Sequence, residues 1–131
     1  MKELILVADD DADSRAVARD ALMLAGFDVQ EVEDGRQALA AAGRRAPAVV
    51  LLDLSMPLMD GWEAARRLRQ GPCSRVPIVA FTAHALAGDR EKALAAGCDD
   101  YISKPCSPRE VVRKAREWAG RPGGTIPGGP T

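Results

Sequence analysis

One histidine, His84, and three cysteines, Cys73, Cys98 and Cys106, are all the sequence offers as soft metal ligands, and no two cysteines are spaced CxxC. Neither a zinc site nor a disulfide framework is expected from such a set, so the cysteines read as small side chains kept in a reducing compartment. Net charge is missing as well. With 18 Lys and Arg against 19 Asp and Glu the formal charge is −1, and no basic stripe marks general nucleic-acid binding. No direct DNA binding is expected on that ground. No apolar run approaches the roughly 20 residues of a bilayer-spanning helix, and no charged segment followed by an apolar one opens the chain. The expectation is a soluble, cytoplasmic protein with no membrane partner. The 131 residues suit one domain with a substantial core.

Against these absences stand several short apolar runs. Residues 48 to 52 are Ala-Val-Val-Leu-Leu, too short for a typical helix and without alternation, which suits a strand buried on both faces of a parallel sheet. Asp53 ends that run, and Pro57 prevents its simple continuation. Residues 4 to 8 read as a first strand leading into Asp9, Asp10 and Asp11. Three adjacent carboxylates are tolerated at a helix N-terminus or around a cation, and both fit here. Asp11 or Asp13 is the expected cap of a helix with Val17, Leu22 and Leu24 as apolar positions, ending at Gly26.

Phe27, Val29 and Val32 mark a second strand. Asp34 with Gln37, Asp60 with Glu63, and Ser107 with Glu110 are three capping-box patterns, the last with Pro108 at the first helical position. The helices they open are expected to stop at Gly43, Gly71 and Gly120. Residues 76 to 81 form a fourth buried run ending in Thr82, residues 86 to 96 a helix stopping at Gly97, and residues 100 to 103 a last strand followed by Lys104. Five strand–helix units imply an α/β fold, a doubly wound five-stranded parallel sheet with five helices on both faces. The domain is expected over residues 1–120, with residues 121–131, almost entirely Gly, Pro and Thr, as a flexible tail.

In a parallel sheet all strands end at one rim, so Asp9, Asp10, Asp53, Thr82 and Lys104 converge there. Asp10 and Asp53, with a backbone carbonyl, are oxygen ligands suited to Mg²⁺. Asp53 is placed as a nucleophile toward phosphorus, forming an acyl phosphate, with Lys104 and Thr82 meeting charge on the transferred group.

Four segments carry a resemblance to a known family: Leu6 to Asp11, Leu51 to Gly61, Ala80 to Ala83 and Tyr101 to Pro105. Through them, about the first 119 residues resemble the receiver domain of two-component response regulators. The resemblance implies a flavodoxin-like strand order, 2-1-3-4-5, and Asp53 as phosphoacceptor. It implies Mg²⁺ held by Asp9, Asp10, Asp53 and the Ser55 backbone carbonyl, and phosphoryl contacts from Lys104 and Thr82. Ala83 leaves the site open to a partner's phosphohistidine. Tyr101 matches an aromatic switch position, though a half-buried sheet aromatic explains it equally. Ser55 and His84 occupy rim positions that tune hydrolysis in the family, though a His84 side chain that simply points into solvent is the favoured reading. The implied function is a switch that accepts phosphoryl from a sensor histidine kinase or histidine phosphotransfer protein, changes conformation to control an output protein, and slowly dephosphorylates itself. It is a signalling switch and not an enzyme acting on other substrates. Output is expected through protein contact, from a stand-alone regulator or a receiver excised from a hybrid kinase.

Two other classes fit less well. Asp9 to Asp11 also resembles the Asp-x-Asp motif of haloacid-dehalogenase phosphatases, but Asp13 stands where that motif wants Thr or Val. A flavodoxin-type nucleotide module needs a hydroxyl- and glycine-rich loop after the first strand, where this chain has three acids. A receiver kept only for interaction, without phosphorylation, is the third alternative.

Overall fold

Val49, Val50, Leu51 and Leu52 are fully buried in the centre of the molecule, as an unbroken apolar run between two helical layers must be. The computed structural model describes residues 2–54, 61–71, 75–82, 89–103 and 107–120. Along the chain these form β1 (Leu4–Ala8), α1 (Ala12–Leu24), β2 (Asp28–Val32), α2 (Gly35–Arg44), β3 (Val49–Asp53), α3 (Gly61–Gln70), β4 (Ile78–Thr82), α4 (Asp89–Ala95), β5 (Asp100–Ser103) and α5 (Pro108–Trp118). The five strands make one sheet in the order β2-β1-β3-β4-β5, every neighbouring pair parallel. The expected doubly wound, flavodoxin-like topology is therefore present. No helix among the described residues is long and apolar enough to cross a membrane.

Strand side chains alternate between two cores. Leu6, Ala8, Val50, Leu52, Ile78 and Ala80 pack with Ala38 and Ala41 of α2, Ala64, Ala65 and Leu68 of α3, and Ala93 of α4. Ile5, Val7, Val49, Leu51, Val79 and Phe81 pack on the other face with Ala18 and Leu22 of α1 and Val111, Ala115 and Trp118 of α5. The alanines of α2 and α3 let those helices approach the sheet closely.

Local chemistry sets the helix starts. Asp11 caps α1, its carboxylate accepting from the N–H groups of Asp13 and Ser14 at 3.0 and 3.4 Å. Asp34 accepts the Gln37 N–H at 2.9 Å, and Gln37 reaches back to the Glu33 N–H at 2.9 Å, one residue earlier than a strict capping box. Ser107 accepts the Glu110 N–H at 3.1 Å, with Pro108 in the first turn. Asp60, the cap expected for the third helix, lies outside the described residues.

Several expectations change. Val17 and Leu24 are 50% and 90% exposed, because the sheet-facing pair on α1 is Ala18 and Leu22, one helical turn apart. Gly43 lies inside α2 and does not end it; among the described residues, Gly26, Gly97 and Gly120 take the left-handed conformation of a helix stop. The fourth strand starts at Ile78 instead of residue 76: the Val76 carbonyl accepts Arg69 Nη1 at 2.9 Å, and Pro77 has no N–H to give a ladder. The expected helix over 86 to 96 is described only as α4, and the tail 121–131 lies outside the described residues.

Candidate functional site

Sheet register decides which residues meet at the carboxyl rim. Ala8 lies opposite Leu52 on β3, so the next residue on each strand, Asp9 and Asp53, leave the sheet side by side. Asp53 lies opposite Phe81, and the Leu54 N–H continues the ladder to the Phe81 carbonyl at 3.0 Å, which puts Thr82 one step beyond. Thr82 in turn lies opposite Ser103. Lys104 follows Ser103 directly in the sequence but, with Ser55, Ala83 and His84, lies outside the described residues. Thr82 is described as the last residue of β4.

The register produces an acid pocket. One carboxylate oxygen from each of Asp9, Asp10 and Asp53 falls within 4.8 Å of the others. Asp9 and Asp53 are each only 5% exposed, whereas Asp10 faces solvent. Asp9 is fixed at three points: its N–H donates to the Val32 carbonyl at 3.1 Å, its Oδ1 accepts the Asp11 N–H at 2.9 Å, and its carbonyl accepts Arg15 Nη1 at 2.8 Å. Asp11, the third acid of the run, caps α1 and stands apart from the cluster. The two readings of the triple acid thus divide by residue: Asp11 serves the helix, and Asp9 and Asp10 serve the pocket. Such a set of hard oxygen donors, two of them nearly buried, can hold a metal ion.

Tyr101 on β5 is half-buried, opposite Ala80 and against the core that includes Ala80 and Ala93. Its N–H donates to Asp100 Oδ1 at 2.8 Å. Asp100 Oδ2 accepts from Lys114 Nζ at 2.6 Å and Trp118 Nε1 at 2.8 Å, tying β5 to α5. Burial pushes the Asp100 carboxyl up, but these hydrogen bonds outweigh it and hold the group below the ordinary aspartate range.

Residues 5–116 match the family described as the response regulator receiver domain. The chain belongs to that family. The receiver is 43% identical over 116 residues to the DNA-binding response regulator MtrA of Mycobacterium tuberculosis, covering 88% of this chain and 50% of that protein. It is likewise 43% identical over 115 residues to the probable transcriptional regulator ycf27 of Porphyridium aerugineum, 88% of this chain and 47% of that one. The chain spans about half the length of the curated relatives it matches. Among solved structures it superposes on the receiver domain of sensor histidine kinase PA1611 from Pseudomonas aeruginosa with a TM-score of 0.84 and 38% identity, covering 92% of this chain and 99% of that one. That crystal structure has a magnesium ion coordinated in the active site cleft. The chemotaxis protein CheY4 of Vibrio cholerae gives 0.85 and 27%, covering 90% and 99%.

These relatives correct one expectation. Near-neutral charge argued for no direct DNA binding, yet MtrA is a DNA-binding response regulator of about twice the matched length. Charge balance within a receiver carries no information about the other half of such a polypeptide, so the exclusion of DNA falls, and with it the inference that output must pass by protein contact alone.

Arg15 was missed by sequence reasoning. It is a cation in the opening turns of an acid-capped helix, against the dipole preference, and that local conflict was the available signal.

Proposed function

We propose that this receiver is cytoplasmic, accepts a phosphoryl group on Asp53 from the phosphohistidine of a sensor histidine kinase or histidine phosphotransfer protein, and then passes it to water. The observation that carries the reading is the acid pocket itself. Asp53 ends the most deeply buried strand with a carboxylate oxygen within 4.8 Å of those of Asp9 and Asp10. Asp9, Asp10, Asp53 and the Ser55 backbone carbonyl would hold Mg²⁺, for which carboxylate oxygens at the mouth of a cleft are suitable donors. Bound there, the ion supplies positive charge to the oxygens of the transferring group.

A carboxylate oxygen of Asp53 attacks phosphorus, the bond from phosphorus to the donor imidazole nitrogen breaks, and the imidazole leaves with its bonding pair and takes up a proton. Lys104 meets the phosphoryl oxygens as a point charge, Thr82 donates a hydrogen bond, and the small Ala83 leaves room for the incoming imidazole. In a second step, water attacks phosphorus and the bond from phosphorus to the Asp53 oxygen breaks, restoring the carboxylate and releasing inorganic phosphate.

The phosphoryl group adds negative charge and acceptor oxygens at the rim, drawing Thr82 inward, and Tyr101 turns into the space behind it. Tyr101 is half-buried beside Ala80, a place that suits both this role and a plain sheet aromatic. The receiver comprises residues 1–120 and the Gly/Pro-rich stretch 121–131 is its tail or linker. DNA-linked output, as in MtrA, is the readout the curated relatives favour.

The test is intact mass of wild type and Asp53→Ala after incubation with acetyl phosphate. The expected result is one added phosphoryl mass on wild type with Mg²⁺, none with EDTA, and none on the variant. An unmodified wild type, also with candidate histidine kinases, would leave a receiver used only for interaction.

A further inference from the structure

Asp9 anchors the acid pocket, and the side chain that grips its backbone is Arg15. Arg15 is 14% exposed and its three nitrogens point to three groups: Nη1 donates to the Asp9 carbonyl at 2.8 Å, Nε to Glu31 Oε1 at 3.2 Å, and Nη2 lies 3.6 Å from Glu33 Oε1. The fork therefore joins the end of β1, the start of α1, the edge strand β2 and the residue following it. Glu31 accepts Arg19 Nη1 at 3.1 Å through its other oxygen, Oε2, from one turn further along α1, so Arg19 shares the carboxylate without touching Asp9. A guanidinium suits this position because it offers five donors in one rigid plane and stays charged; an ammonium offers a point charge without the fork.

Two effects of Arg15 on the pocket have opposite signs. Its positive charge near three carboxylates weakens the attraction of a cation. Its hold on the Asp9 carbonyl, together with the Val32 contact, limits rotation of the Asp9 backbone and hence the direction of its carboxylate. A salt link that serves stability alone would show neither a loss of cation affinity nor a dependence on the fork.

We propose that Arg15 is a positioning residue of the acid pocket: by fastening the Asp9 carbonyl against β2 it aims the Asp9 carboxylate at Asp10 and Asp53 and so sets the pocket's affinity for Mg²⁺. This rests on the Mg²⁺-dependent reading of the pocket given above. Partners that orient a metal ligand typically change affinity by about 10- to 100-fold when removed, and the gain from losing one partly shielded positive charge is smaller.

The experiment is a Mg²⁺ titration of the whole chain, followed by amide chemical shifts well below the melting temperature, on wild type, Arg15→Gln, Arg15→Lys and Arg19→Gln. Thermal melts are recorded on each. The expected result is that Arg15→Gln binds Mg²⁺ about ten-fold more weakly and Arg15→Lys is also weaker despite its retained charge. Arg19→Gln removes the same charge without touching Asp9 and is expected to bind at least as tightly as wild type. Should Arg15→Gln fail to fold, the Arg15→Lys comparison decides alone. Unchanged or tighter binding in the Arg15 variants, with or without a lower melting temperature, would overturn the proposal. A wild type that binds no Mg²⁺ would overturn the metal reading and this proposal with it, which separates that failure from a failure of Arg15.

Discussion

Neutralising Asp9 should make the ion-free protein more stable while removing its response to Mg²⁺. Asp9 and Asp53 are each 5% exposed, and an oxygen of one carboxylate lies within 4.8 Å of an oxygen of the other. Two unit charges at that separation repel by about 1 kcal/mol in water and about 3 kcal/mol at an effective dielectric near 20. Asp9→Asn removes this term yet keeps an Oδ1 acceptor for the Asp11 N–H, at 2.9 Å in the wild type. The expected gain is about 1–3 kcal/mol in EDTA, or a melting temperature higher by roughly 3 to 12 °C for a domain of this size. Mg²⁺ at ten times its Kd would stabilise the wild type by about 1.4 kcal/mol, and the variant by far less. Urea and thermal unfolding in EDTA and in MgCl₂ measure both quantities. An Asp9→Asn variant less stable than wild type in EDTA, or one that gains equally from Mg²⁺, would refute the repulsion argument.

Three other outcomes are expected. Asp99 is nearly buried, its Oδ2 accepting Arg69 Nη2 at 2.6 Å and the Ile78 N–H at 2.9 Å, so Asp99→Ala removes the acceptor of the Ile78 N–H and the counter-charge of Arg69, which keeps the Gly97 and Val76 carbonyls; a loss of about 3 kcal/mol in urea unfolding is expected, and one below about 1 kcal/mol would contradict the pairing. The depressed Asp100 pKa contributes stability that is present above the ordinary value of 3.8 and lost as pH falls through the lower folded value. Asp100→Asn should therefore be less stable than wild type at neutral pH with the gap closing below about pH 3.8, and a gap unchanged down to pH 2 would contradict it. Burial, with Asp99 adding to it, pushes the Cys98 thiol up to about 12, so alkylation at pH 8 should reach Cys98 only after unfolding, as peptide mass mapping would report.

Where burial on both faces of the sheet made the pattern continuous, the sequence was easy to read. Leu4–Ala8 and Val49–Asp53 announce themselves as apolar runs ending in acids, and parallel pairing then obliges Asp9 and Asp53 to meet. The caps at Asp34 and Ser107 were legible because a side-chain oxygen and an N–H three residues on satisfy each other locally. Helix α1 was harder. Val17, Leu22 and Leu24 are all apolar, and only the angle at which the helix settles against α5 and the sheet selects Leu22 with Ala18 and leaves Leu24 outside. Arg15 and Arg69 were illegible for a related reason: both act through backbone carbonyls, of Asp9 and of Gly97 and Val76, and a carbonyl carries no mark in the sequence. The balance of charge failed on DNA because it summed a receiver whose curated relatives are twice as long.

The most direct measurement is to locate the phosphoryl group by chemistry at the residue. After acetyl phosphate and Mg²⁺, borohydride reduces an acyl phosphate to the alcohol and leaves a free carboxylate untouched, and tandem mass spectrometry of the peptides then reads the position. The expected result is reduction at Asp53 alone, dependent on Mg²⁺. Reduction at Asp9 or Asp10, or at no residue of a folded wild type, would contradict the assignment of Asp53 as the phosphoacceptor.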